Sequence, residues 1–141
     1  MERENFMKEI ELYINSCDVN DIDRDYIKAK YSKENGKNGI YFLYNEDDVV
    51  VYVGMVSNAR STSFYHRMYL HGNGAHKDKD WFRKCKKFRF KKFSAATEKD
   101  LRIIERLMIF KTGQPIYNDI GEINCDFDNI ANRVKGGEVN G

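Results

Sequence analysis

The hydrophobic pattern of this chain changes period near residue 38, and that change limits what it can fold into more than any other feature. Before it, Phe6, Ile10, Tyr13, Ile14 and Cys17 recur at spacings of three and four, the period of an amphipathic helix over 5–17. A second helix is expected over 21–30, after which SKENGKNG breaks the helical period with glycine and asparagine. Beyond it, GIYFLYN (39–45) and VVVYV (49–53) are rich in aromatic and β-branched residues and are separated by Glu46-Asp47-Asp48, which reads as a β-hairpin. If Tyr44 pairs with Val49, paired residue numbers sum to 93 and Tyr41 lies directly opposite Tyr52, on the same face of the sheet.

After Gly54 a polar loop leads to a helix expected over 61–70, capped by Ser61 or Ser63 and ended by Gly72. Arg67 and His71 sit one helical turn apart in it. HGNGAHKDKD reads as a loop, and in WFRKCKKFRFKKF (81–93) Phe88 and Phe90 alternate with basic residues as in a half-buried strand. The clearest helix runs from Thr97, a good cap, to Lys111, with acids in its first turn and Gly113 and Pro115 beyond its end. Glu105 falls among Leu101, Ile104 and Met108, and a carboxylate buried there is costly without a cation or a metal. From Asp119 onward the chain is polar and Gly-rich, and a short helix at most is expected. The pattern predicts an α+β fold: a central antiparallel sheet of about three strands flanked by helices. The expected divisions are a helical N-terminal extension (1–37), a core (38–118) and a tail (119–141).

The bulk numbers fit one domain. The 141 residues suffice for a single ordinary core, and 41% hydrophobic content argues against disorder. Three cysteines, Cys17, Cys85 and Cys125, lack any C-x-x-C pair, so neither a disulfide framework nor a zinc knuckle is suggested. The N-terminus is charged where a signal peptide needs an apolar stretch, and no run approaches the ~18 apolar residues of a membrane span, so a cytoplasmic protein without membrane partners is expected. The net charge of +2 conceals an uneven distribution: residues 1–48 hold seven Lys/Arg against twelve Asp/Glu, whereas 77–92 hold nine against two.

Gly39-Ile40-Tyr41, ten intervening residues and then Tyr52-Val53-Gly54 resemble the signature of the GIY-YIG nuclease family, with Val for the second motif's Ile. Downstream, Arg67 through His71 resembles the family's Arg-x-x-x-His, Glu105 falls where the family has its helical metal-binding glutamate, and Asn118 after Pro115 matches a frequent terminal Asn. The resemblance covers about residues 38–118. Either tripeptide alone is uninformative, but the pair at this spacing, followed in order by Arg, Glu and Pro-x-x-Asn, is hard to obtain by chance. Twelve residues separate Gly54 from Arg67, more than in compact members, and Arg60 lies in that gap as a rival.

What the resemblance implies is a nuclease with one Mg²⁺ or Mn²⁺, hydrolysing phosphodiester bonds, usually in DNA, with RNA also open. Tyr41 would be the general base, which requires cations nearby to lower its phenol pKa, and Arg67 would stabilise the transition state with its fork of donors. Glu105 would hold the metal, a single carboxylate with waters and phosphate oxygens being normal for Mg²⁺. His71 would assist proton transfer or contact phosphate, and Tyr52 would position water or substrate. Gly39 and Gly54 either let backbones approach closely or serve turns, and Asn118 would fix local structure. Lys77, Lys79, Arg83, Lys84, Lys86, Lys87, Arg89, Lys91 and Lys92 would track the phosphate backbone of the nucleic acid.

Plainer readings stand beside these. A strand tyrosine is ordinarily a packing residue, Arg67 a surface charge, Glu105 half of a buried ion pair and the basic run a solvated strand face. His66, His71 and His76 recur every five residues, roughly 140° per step on a helix, which builds no one-sided metal site. Two other functions fit the same pattern: a catalytically inactive nucleic-acid-binding or protein-interaction module of this fold, and a site-specific restriction-like enzyme.

Overall fold

The structure is a computed structural model that describes residues 1–60, 62–73, 80–113 and 125–139, without the side chains of 60, 70–73, 80–81 and 136–139. Helix α1 (Arg3–Asn15) buries Phe6, Met7, Ile10 and Ile14, the stripe its sequence spacing predicts. Strand β1 (Asn20–Asp21) follows, then α2 (Arg24–Tyr31), whose first turn is capped by Asp23 accepting from the Tyr26 amide at 3.0 Å. Strands β2 (Gly39–Tyr44) and β3 (Val50–Val56) form the expected hairpin, and a 3₁₀ turn over Asn58–Arg60 leads to α3 (Phe64–Asn73). Ser63 caps α3, accepting from the His66 amide at 3.2 Å, and Gly72 lies inside this helix rather than ending it. A short helix α4 (Asp80–Arg83) precedes β4 (Lys87–Lys92), and α5 (Glu98–Lys111) and α6 (Phe127–Val139) complete the chain.

Among the described residues the sheet is antiparallel with four strands in the order β1-β4-β2-β3. The expected α+β class holds, with one strand more than the pattern suggested. Strand β1 pairs through only two residues, Asn20 with Phe88 and Asp21 with Lys87, too few for any period-two signal.

The hairpin register differs from the expected one by two residues. Tyr41 pairs with Gly54, and Leu43 pairs with Tyr52. The Asn45 side chain accepts from the Asp47 and Val49 amides, the Asn45 amide donates to the Val49 carbonyl, and Asp48 takes a left-handed conformation at φ 61°, so the turn closes on Asn45 rather than Tyr44. An irregularity between Leu43 and Tyr44 adds the second residue. A shift of two preserves the face, so Tyr41 and Tyr52 still share one side as diagonal neighbours, their ring centroids 6.0 Å apart.

Every residue of β2 is buried, because helices cover both sides of the sheet. Ile40, Phe42 and Tyr44 face a core with α1, α5 and α6, whereas Tyr41 and Leu43 face Ile27, Tyr31, Phe64, Met68, Phe88 and Phe90 on the side of α2 and α3. Helix α5 begins with a capping box, Thr97 and Asp100 each bonding the other's backbone, and Gly113 follows it at φ 75°.

The tail carries a longer helix than the expected short one. Phe127, Ile130, Ala131 and Val134 of α6 are buried at spacings of three and four, and the Phe6 and Phe127 rings lie 4.9 Å apart. Arg133 grips Asp100 at the start of α5 with two bonds of 2.6 and 2.8 Å. Helices α1 and α6, from the segments read as extension and tail, thus build one face of the main core. Among the described residues no helix is long and apolar enough to cross a membrane.

Candidate active site

Tyr41 stands on the central strand with its ring lying across Gly54 of β3. A Cβ at position 54 would overlap Tyr41 Cζ and Oη, and one at Gly39 would overlap the Lys91 carbonyl oxygen of β4 and crowd Phe90. Both motif glycines therefore serve close approach rather than a turn. The clearance at Gly54 directs the Tyr41 hydroxyl toward the free edge of β3, where Tyr52 and Arg67 meet it.

The Arg67 guanidinium, on α3, donates to the hydroxyls of Tyr41 and Tyr52, and the two hydroxyls also interact with each other. Arg67 Nε is buried and has no hydrogen-bond partner among the described residues, a donor held ready for an anion. Burial is the dominant influence on both phenols. It drives the Tyr41 pKa far above the ordinary phenol value, Tyr52 adds to the rise, and the attraction of Arg67 recovers only part of it. Tyr52 moves in the same direction for the same first cause. Arg67 acts in the expected direction on Tyr41, but at 0% exposure the loss of hydration of a phenolate outweighs this one guanidinium.

Glu105 projects from α5, on the opposite side of the sheet from α3. It was expected among Leu101, Ile104 and Met108; those three are buried, but Glu105 is only half-buried and turns off their stripe to the wall of a cleft. That cleft, about 320 Å³, is lined by Met55, Ser57, Thr62, Arg67, Arg102, Glu105 and Arg106. The Glu105 charge acts on Tyr41, Tyr52 and Arg67 alike. Four of the five residues named as catalytic are thus brought together. The fifth, His71, lies on α3 one turn beyond Arg67, with its side chain outside the described residues. Of the two candidate arginines, Arg67 has its side chain in the cleft; that of Arg60 is outside the described residues, as are Asn118, Lys77 and Lys79 altogether.

Four cations of the basic run make contacts within the protein. Lys87 pairs with Asp48 at 2.8 Å, and Arg89 donates to the Cys17 carbonyl at 3.0 Å and the Tyr44 hydroxyl at 2.8 Å. Lys91 stands 4.8 Å from the centre of the Tyr13 ring, and Lys92 donates to the Glu34 carbonyl at 2.7 Å. These four side chains hold α1, the hairpin turn and a 3₁₀ turn over Glu34–Gly36 to β4, which β2 separates from the cleft. Arg83, Lys84 and Lys86 are exposed and line a separate hollow with Asn45, Glu46 and Asp47.

The cleft carries instead two cations that sequence reasoning passed over, Arg102 and Arg106. Their signal is a spacing of four on α5 that brackets Glu105. Asn38 was also missed. It is 3% exposed at φ 55°, donates to the Phe93 and Ala96 carbonyls at 2.6 and 2.9 Å, and accepts from the Asn58 amide at 3.3 Å. It ties the start of β2 to the segment after β4 and to the loop that carries Ser57.

Comparison of the chain with models of protein families, with curated proteins and with solved structures finds no match in any of the three.

Proposed function

We propose that this chain is a metal-dependent endonuclease that hydrolyses phosphodiester bonds in DNA, the activity that the resemblance to GIY-YIG nucleases implies. The observation that carries the reading is the hydrogen-bonded set of Tyr41, Tyr52 and Arg67, whose arginine faces Glu105 across one cleft. Arg67 would grip the non-bridging oxygens of the scissile phosphate, its buried Nε finding a partner there, and would stabilise the negative charge that grows on them during attack. Tyr52, half-buried beside Arg67, would orient the attacking water. Tyr41 would take up the water's proton, and it must first lose its own proton against the resistance of its burial.

The donor set suits a hard divalent ion. Glu105 is a carboxylate at an open wall beside the hydroxyl residues Ser57 and Thr62, and Mg²⁺ accepts one carboxylate with waters and phosphate oxygens as the remaining ligands. Glu105 would hold Mg²⁺ or Mn²⁺, and the ion would supply stabilisation of charge on the departing oxygen.

A second reading, a module of the same fold that binds nucleic acid without cutting it, is supported by the acidic segment 1–48, which could mask or recruit rather than cut. Incubation of the purified chain with supercoiled, linear and branched DNA, and with RNA, in Mg²⁺ or Mn²⁺ separates the two. Nicking that disappears in Glu105→Ala supports the nuclease; no cleavage of any substrate with either ion, or equal cleavage by Glu105→Ala, overturns it.

A further inference from the structure

The cleft is more cationic than one scissile phosphate requires. Arg67, Arg102 and Arg106 line it against the one carboxylate of Glu105, so its described walls carry an excess of positive charge before any metal enters. Arg67 is already bonded to the two phenols and belongs to the reacting centre. Arg102 and Arg106 come from the other side, one turn apart on α5, with Cβ atoms about 5–6 Å apart as for any i,i+4 pair. Both are largely exposed at the cleft mouth, where their long stems can spread to span a phosphate group. Arg102 is engaged with Glu98 at 3.2 Å, but its side chain is 57% exposed, and such a solvent-facing i,i+4 pair is weak enough to yield to a doubly bonded phosphate.

From this we infer that Arg102 and Arg106 form a second anion subsite that takes the phosphate next to the scissile one, so that the ligand is a strand with at least two consecutive phosphodiesters rather than a mononucleotide or an isolated diester. The inference deepens the proposed nuclease reading and rests on it for the identity of the ligand. It adds the exposed face of α5 to the nucleic-acid contacts expected of the basic run.

The test is binding, not cutting. Labelled oligonucleotides with one phosphodiester (a dinucleotide) and with two (a trinucleotide) are titrated by fluorescence anisotropy in Ca²⁺, with the full chain and with the Arg102→Gln/Arg106→Gln variant. The expected result is that the parent gains about tenfold in affinity from the second phosphodiester, as charge-assisted hydrogen bonds to a phosphate allow, and that the variant gains less than twofold. Arg102→Lys/Arg106→Lys, which keeps the charge, should recover part of the gain. On a longer single strand, the dependence of log affinity on log salt should become shallower by about 0.7 for each arginine removed. An equal gain in parent and glutamine variant, or no gain in either, overturns the subsite. The nuclease reading fails separately, on the absence of metal-dependent nicking; a chain that shows the two-phosphate gain but cuts nothing keeps the subsite and loses the enzyme.

Discussion

The ring of Tyr41 fills the space where a side chain at position 54 would stand. The two motifs therefore fit into each other: a glycine on β3 is what allows a phenol on β2 to reach Arg67 and Tyr52.

Gly54→Ala should consequently act through Tyr41. A methyl there overlaps Cζ and Oη, the ring must swing away, and overpacking of this kind costs about 1–3 kcal/mol. Urea unfolding should show that loss, and replacing the ring in Tyr41→Leu/Gly54→Ala should recover part of it. A double variant whose loss equals the sum of its single losses would show that the two positions are independent.

Asn38→Ala should be among the most destabilising polar substitutions in the chain. It strands the Phe93 and Ala96 carbonyls and the Asn58 amide in a buried setting, and puts alanine at φ 55°. Losing the bonds alone costs about 1–3 kcal/mol. Asn38→Gly relieves the backbone but not the bonds, so its midpoint in urea should fall between those of the parent and the alanine variant. Equal midpoints for glycine and alanine would leave no part for the left-handed backbone.

The clamp between α5 and α6 predicts a dependence on pH. Burial alone would raise the Asp100 carboxyl, but the bonds from Arg133 and Thr97 outweigh it and hold the pKa below the ordinary value. The carboxylate thus favours the folded state above the unfolded value of about 3.9, and its contribution is lost as pH falls through the lower folded value. Arg133→Met removes the two charged bonds while burial remains, so the Asp100 pKa should rise and acid unfolding should begin at higher pH. Circular dichroism along an acid titration reads this, and coincident curves would remove the ion pair from the account.

Under the proposed nuclease reading, activity should climb with pH. If Tyr41 is the base, only its phenolate reacts, and with a pKa raised by burial the reactive fraction grows about tenfold per pH unit through the neutral and alkaline range. Single-turnover rates from pH 6 to pH 9 at saturating metal should rise on that slope, and Tyr41→Phe should abolish cleavage. A flat profile with an active phenylalanine variant would make Tyr41 a donor to Arg67 and Tyr52 only.

Helix α5 was legible in detail because Thr97, Asp100 and Gly113 mark its ends with local chemistry. The hairpin was legible in kind but not in register, since the Asn45 side chain that closes the turn and the irregularity beside Tyr44 leave no periodic trace. Helix α6 was underrated because Gly136 and Gly137 obscure the stripe of Phe127, Ile130 and Val134, and its anchor on Asp100 lies 33 residues away. At the site, motif spacing pointed to Tyr41, Tyr52, Arg67 and Glu105 as a set. What it did not reveal depends on tertiary surroundings: the depth that keeps Tyr41 protonated, the half-exposure of Glu105, and the attachment of Arg89 and Lys92 to neighbouring backbone.

Arg67 hangs from the helix layer on one side of the sheet and Glu105 from the layer on the other, and they face each other around the flank of β3 that is unpaired among the described residues. The gap between guanidinium and carboxylate is therefore a seam whose width follows how the two layers clasp the sheet, while the phenols, rooted in the strands, hold still. A slide of α5 by a fraction of a turn would open or shut that seam without disturbing a single rung of the ladder.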